Sequence, residues 1–153
     1  MIRYKSTDEI RTIRRAAKIV HEALLKVEEN VQPGVSLKEL DTIAEDYILS
    51  QDAIPGFKGL YDFPATLCLS PNDMVVHGIP DDTVLKEGDI IGVDCGAIVD
   101  GYYGDHAKTF AVGTISEAAQ KLLDVSRESL YRGIGLCIPG NHLNDIGHAI
   151  QSF

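Results

Sequence analysis

The chain has 153 residues, 44% hydrophobic and 24% charged, which suits one soluble domain with a real core. A net charge of −9 argues against a nucleic-acid partner, and the absence of an apolar leader or of 18 consecutive apolar residues argues against a signal peptide or a membrane span. Three cysteines, Cys68, Cys95 and Cys137, are odd in number and far apart, so neither a disulfide framework nor a zinc knuckle is expected and a reducing cytoplasmic compartment fits.

In chain order, Ser6 and Glu9 form a capping box. Ile10, Ile13, Ala17, Val20, Leu24 and Val27 then recur at spacings of three and four, which predicts an amphipathic helix ending before Pro33-Gly34. His21 falls on its polar side and reads as a surface residue. A second box, Ser36 and Glu39, opens a helix with Leu37, Leu40, Ile43, Ala44, Tyr47 and Ile48 on its apolar side. From Asp52 to Gly88 the pattern breaks up. Ala65–Leu69 and Met74–His77 look like short strands between the turn signals Pro55-Gly56, Pro71-Asn72 and Pro80-Asp81. His77, just before a glycine, is either a plain turn residue or a binding group on a scaffolded loop.

The stretch from Asp89 to Val112, DIIGVDCGAIVDGYYGDHAKTFAV, reads as a β-hairpin. Two β-branched runs flank Asp100-Gly101, the dipeptide that favours a two-residue type I′ turn. Centring the turn there places Val99 opposite Tyr102, Gly96 opposite Asp105 and Asp94 opposite Ala107. Side chains alternate between faces, so Asp94 and Asp105 become diagonal neighbours, roughly 7–8 Å apart at the backbone. Such a pair can simply face water. The apolar run before Asp94 argues for partial burial instead, and then a divalent cation is a natural partner. Glycines at 92, 96, 101 and 104 thin the hairpin, as expected where a ligand or another backbone comes close.

After Val112 a third helix begins near Ser116, with Ala119, Leu122, Leu123, Leu130 and Ile134 on its stripe, ending by Pro139-Gly140. A fourth carries Leu143, Ile146, Ala149, Ile150 and Phe153 and is still running, by pattern, where the sequence stops. QPGVSLKELDTI, from Gln32, can be laid over IPGNHLNDIGHA, from Ile138, so that Pro33, Gly34, Leu37 and Leu40 match Pro139, Gly140, Leu143 and Ile146. Read as a duplication, the first copy runs helix, helix, strands and hairpin, and the second only helix, helix. His106 should point away from the Asp105 face, and His142 and His148 read as surface residues. Two carboxylates are therefore an incomplete metal-ligand set, and the sheet is expected to expose an open edge through which copies could pair.

The segments FPATLCLSPNDMVVHGIPDD and LKEGDIIGVDCGAIVDGYYGDHAKTF resemble the type I methionine aminopeptidases, and the resemblance runs over essentially the whole chain. It implies an α+β pita-bread fold, with helices packed on a curved antiparallel sheet in two pseudo-symmetric halves. It implies two divalent metal ions, of Co, Mn, Fe or Zn, with Asp94 and Asp105 as ligands and Asp105 bridging. By the same resemblance His77 is a catalytic and substrate-binding residue near the scissile amide. Phe63 and Cys68 line the methionine side-chain pocket, with Phe57 as a further candidate. The implied activity is removal of N-terminal methionine from nascent polypeptides whose second residue is small, by a monomeric cytoplasmic enzyme without nucleic-acid or membrane partners.

Two features depart from the family. A histidine follows Asp105 where a small polar residue is usual, and the family's remaining ligands, one histidine and two glutamates, have no counterpart here. Residues 1–153 are accordingly expected to be one methionine aminopeptidase-like domain, truncated at its C-terminal end and inactive or nearly so alone. Two alternatives stay open: another pita-bread peptidase, such as an X-Pro aminopeptidase, or a non-catalytic binding module on the same fold.

Overall fold

A computed structural model describes residues 3–153. The chain divides into two compact units, one up to Ile115 and one from Ser116 to Phe153. The first holds helices α1 (Thr7–Glu28) and α2 (Leu37–Ser50), strands β1 (Ile54–Pro55), β2 (Leu67–Pro71), β3 (Ile90–Val99) and β4 (Tyr102–Ala111), and a short 3₁₀ turn at Leu60–Asp62. Both capping boxes form. Ser6 Oγ accepts from Glu9 N at 3.2 Å and Glu9 accepts from Ser6 N at 2.6 Å, and the Ser36–Glu39 pair repeats the arrangement at 3.3 and 2.8 Å. Each satisfies backbone donors that a helix start otherwise leaves free.

Strand β3 is the spine of an antiparallel sheet. One edge pairs along its whole length with β4, and the other pairs first with β2 and then with β1. The register is the expected one: Val99 faces Tyr102, Gly96 faces Asp105 and Asp94 faces Ala107. Asp100 and Gly101 both have positive φ, 49° and 80°, as a type I′ turn requires. One face of the sheet, carrying Ile91, Val93, Cys95, Ala97, Val99 and Phe110, closes the core with α1 and α2.

Two expectations are corrected. The buried stripe of α1 is Ala16, Ile19, Val20, Ala23, Leu24 and Val27, whereas Ile10 and Ala17 are exposed. The helix is rolled by about one residue because it comes down onto the sheet at Gly104, where an added Cβ would fall on the backbone of Ala16 and Ala17. Met74–His77 is not a strand. Asn72 and His77 both take positive φ, 52° and 59°, which breaks the extended run, and the segment is held to β2 by isolated bonds, Met74 N donating to Pro71 O at 3.1 Å and Leu69 N to Gly78 O at 2.9 Å.

The second unit is a helical pair, α3 (Glu117–Gly135) and α4 (Leu143–Gln151). It bears out the internal match in detail. Gly34 and Gly140 have φ of 97° and 96°, and the Ser36–Glu39 box recurs as His142–Asp145, with His142 N donating to Asp145 at 2.7 Å. The third helix ends at Gly135, earlier than the Pro-Gly signal suggests. Leu122, Leu130, Ile134 and Leu143 are exposed.

Replacing Gly104 by Ala should lower the stability of the sheet unit by about 2 kcal/mol, the scale of a core overpacked by one methyl. Gly135→Ala, where nothing lies within 4 Å, should be neutral or stabilising by up to about 1 kcal/mol. Urea midpoints of the two variants compare them directly.

Candidate metal centre

The face of the sheet turned away from α1 and α2 carries the chemistry. Strand alternation assigns to it Cys68 and Ser70 on β2, Gly92, Asp94 and Gly96 on β3, and Asp105, Ala107 and Thr109 on β4. Contacts agree with the assignment. A Cβ on Gly92 would lie near the side chains of Ser70 and Thr109, at 3.9 and 4.0 Å, and a Cβ on Gly96 would meet the Phe57 ring at 2.6 Å. The opposite face of β4 belongs to α1. Tyr102 donates to Glu9 at 2.7 Å, Lys108 pairs with Glu28 at 2.8 Å, and His106 stacks on His21 at 5.9 Å between ring centroids. His106 thus points away from Asp105, as the alternation requires, and burial, His21 and Lys108 hold its pKa down.

Asp94 is half-buried, and its Oδ1 is enclosed without a hydrogen-bond partner among the described residues. Its pKa is raised, first by burial and then by the charge of Asp105; the charge of His77 pulls the other way. Cys68, directly opposite Asp94 on β2, is pushed up to about 11 by burial and by both aspartates. What this face wants is positive charge. An orphaned carboxylate oxygen beside a second carboxylate suits a divalent cation with hard oxygen preferences. Among the described residues no group of three or more His, Cys, Asp or Glu side chains comes together to hold a metal ion, so the two aspartates fit part of a coordination shell.

His77 lies on a loop pinned at both ends, from which its charge acts on Asp94. Asn72 N donates to Ile90 O and Asn72 Oδ1 accepts from Ile90 N, at 2.9 and 3.1 Å, while the Asn72 amide also donates to Asp89 at 2.9 Å. At the far end Gly78 N donates to Ser70 Oγ at 3.2 Å. Gly78 sits so tightly on β2 that an added Cβ would strike the Leu69 carbonyl and the Met74 sulfur. His77, exposed and in the left-handed region, is the residue that this docking presents. Such strain in a non-glycine residue persists only where the surroundings fix it.

The structure therefore places Asp94, Asp105 and Cys68 on one sheet face, adds Phe57 through Gly96, and sets His77 on a neighbouring loop from which its charge acts on Asp94. Phe63 is half-buried at the end of the 3₁₀ turn, where its carbonyl accepts from Gly59 N at 2.8 Å. Sequence reasoning missed Ser70, Asn72 and Gly78 as positioning residues. Asn72 lies in a recognised turn signal, while the need for Gly78 is visible only once the loop is seen against β2.

In the metal-free chain Asp94→Asn should raise stability at pH 7 by about 1 kcal/mol, because it removes a desolvated charge and its repulsion with Asp105. Asp94 has a raised native pKa, so above the unfolded value the native state binds more protons and stability falls as pH rises through that window. The advantage of the variant should shrink toward acid pH. Urea unfolding at two pH values measures it, and an unchanged or lower midpoint at pH 7 contradicts the account.

The profile of Peptidase_M24, metallopeptidase family M24, matches residues 11–153. A protein of Clostridium acetobutylicum named methionine aminopeptidase is 51% identical over 100% of this chain and 62% of its own length. The crystal structure of methionine aminopeptidase from Rickettsia prowazekii superposes with a TM-score of 0.97 at 36% identity, over 99% of this chain and 61% of that one. Prolidase from Pyrococcus furiosus gives a TM-score of 0.86 at 21% identity, over 97% of this chain and 42% of that one, a likeness of fold alone. The chain spans about three-fifths of the length of the methionine aminopeptidases it matches.

Proposed function

The chain belongs to metallopeptidase family M24 and has its pita-bread fold, and from that premise we propose that it carries the N-terminal part of a methionine aminopeptidase site. The observation that carries the reading is the pair Asp94 and Asp105 on one open sheet face, with Asp94 Oδ1 buried and unpartnered. These two side chains would hold divalent metal. When bound, the metal would supply Lewis acidity and a water of lowered pKa. Cobalt, manganese, iron and zinc all suit the carboxylate donors, and two ions are proposed on the resemblance to type I enzymes.

The chain's own residues do the rest. His77, held in a left-handed conformation at the end of its tethered loop, would donate a hydrogen bond to the substrate near the scissile amide. Cys68 beside Asp94 and the Phe57 ring over Gly96, joined by Phe63, would wall a soft apolar pocket for an unbranched thioether. The proposed substrates are nascent polypeptides with methionine followed by a small residue, and the proposed setting is the cytoplasm. Among the described residues no helix is long and apolar enough to cross a membrane. Residues 1–153 form one domain in this reading. Because the two aspartates fit only part of a coordination shell, these residues alone are proposed to turn over little or no substrate.

Two measurements separate this reading from its rivals. With Mn²⁺ or Co²⁺, the purified chain should release no methionine from a Met-Ala-Ser peptide above the level of Asp105→Ala. Release abolished by that substitution would mean that the chain completes its own site. In proton spectra with Mn²⁺, the S-methyl signal of L-methionine should broaden with the wild type and not with Asp105→Ala. Preferential broadening of proline, or cleavage of an X-Pro peptide, would replace the methionine assignment with a proline-specific one. Equal broadening of both ligands by both proteins would favour a non-catalytic module.

A further inference from the structure

Between β1 and β2 the chain makes a closed excursion. Gly56 N donates to Gly96 O at 2.7 Å, and Leu67 pairs with Cys95. Residues 57–66 therefore leave the edge of β3 at one position and return at the next. The loop is tied within itself, with Leu60 N donating to Phe57 O at 2.9 Å and Gly59 N to Phe63 O at 2.8 Å. Gly59, Tyr61 and Asp62 all take positive φ, 87°, 49° and 63°. Two acidic residues one turn apart on α2 hold it from behind. Glu45 pairs with Lys58 Nζ at 2.6 Å, and Asp41 Oδ1 accepts from both Thr66 N and Leu67 N, at 3.0 and 2.7 Å.

The two anchors are unequal. The Glu45–Lys58 pair is partly open to water, with side chains 26% and 46% exposed, and such pairs contribute little. Asp41 is half-buried, and the amides it receives belong to Thr66 and Leu67, both 0% exposed. Thr66 Oγ1 is enclosed and has no hydrogen-bond partner among the described residues, so the exit of the loop is cut off from water. Without the carboxylate two buried donors would be left unsatisfied. Cys68 stands just past this exit, opposite Asp94. Phe57 stands at the start of the loop, its ring over Gly96 on the Asp94–Asp105 face.

We propose that Asp41 is a positioning residue of the site: by gathering the Thr66 and Leu67 amides it closes loop 57–66 and holds Cys68 and the Phe57 ring against the two aspartates. Its role in selecting a substrate side chain rests on the reading of that face as a methionine pocket. Asp41 acts through backbone and touches neither metal nor substrate. It therefore controls the wall of the pocket and leaves the carboxylate pair of the β3–β4 hairpin in place.

Maleimide labelling of Cys68 in the folded chain, followed by mass spectrometry, tests the proposal. In Asp41→Ala, Cys68 should label about tenfold faster than in the wild type, the factor expected when buried amides lose their acceptor, while Cys95 stays protected. Asp41→Asn, which keeps a side-chain oxygen, should restore most of the protection. Val27→Ala, a core truncation in α1, supplies a globally destabilised control in which Cys68 and Cys95 accelerate together. Joint acceleration in Asp41→Ala, or none, overturns the proposal.

If Asp41→Ala does not fold, amide exchange in the wild type decides. Thr66 and Leu67 exchanging as slowly as Val93 supports the clamp, and exchange at the rate of exposed loop amides overturns it. Mn²⁺ affinity separates this proposal from the functional one. It should be unchanged in Asp41→Ala and lost in Asp94→Asn. A wild type that binds no Mn²⁺ yet shows the labelling pattern retires the metal reading and still supports the clamp.

Discussion

The structure depends on the pairing of β3 with β4. A two-residue turn at Asp100-Gly101 fixes the register, and a slip of one residue would send every side chain of one strand to the other face. In the register observed, Ile91, Val93, Cys95 and Phe110 meet the helices while Asp94 and Asp105 share the opposite face. The same constraint that builds the core thus places two like charges together, one of them enclosed. The core offsets the cost of that arrangement, which is the usual relation between a stable scaffold and a strained functional site.

The glycines of the hairpin divide their work between the two faces. Gly104 lets α1 approach until its backbone touches β4, and Gly96 leaves room for an aromatic ring beside the aspartates. Around this centre, two loops are tethered at their ends by hydrogen bonds to backbone. Asn72, Ser70 and Gly78 fix the loop that presents His77, and Asp41 closes the loop that presents Phe57. Both loops expose apolar side chains at their outer parts, Tyr61 in one and Val75 in the other. Their shape comes from tethers at their ends, so substitutions at the tethers should alter the site more than substitutions at the tips.

Much of this was legible in the sequence because the governing signals are local. Capping boxes at Ser6 and Ser36, the Asp-Gly turn and the alternation along the hairpin each act over a few residues, and together they gave the helices, the register and the faces of Asp94, Asp105 and His106. The internal match between Gln32 and Ile138 was equally local, and the paired glycines at 34 and 140 bear it out. The misses are tertiary. The roll of α1 results from Gly104, 88 residues beyond Ala16, and no periodicity within the helix encodes it. Met74–His77 has strand composition, yet positive φ at Asn72 and His77 overrides propensity. Asp41 looks like any polar position on an amphipathic helix until β2 is seen to end its approach there.

If Asp94 and Asp105 make the face of this sheet a cation site, a bound metal must be found there. With a net charge of −9, the chain offers many carboxylates that could attract a metal loosely, so location is the decisive observable. Substoichiometric Mn²⁺ added to ¹⁵N-labelled protein should broaden the amide signals of residues 94–96 and 104–106, with His77, before those of exposed acidic clusters such as Asp81-Asp82. Broadening that begins at the surface clusters and leaves the hairpin sharp would mean that Asp94 and Asp105 hold no cation.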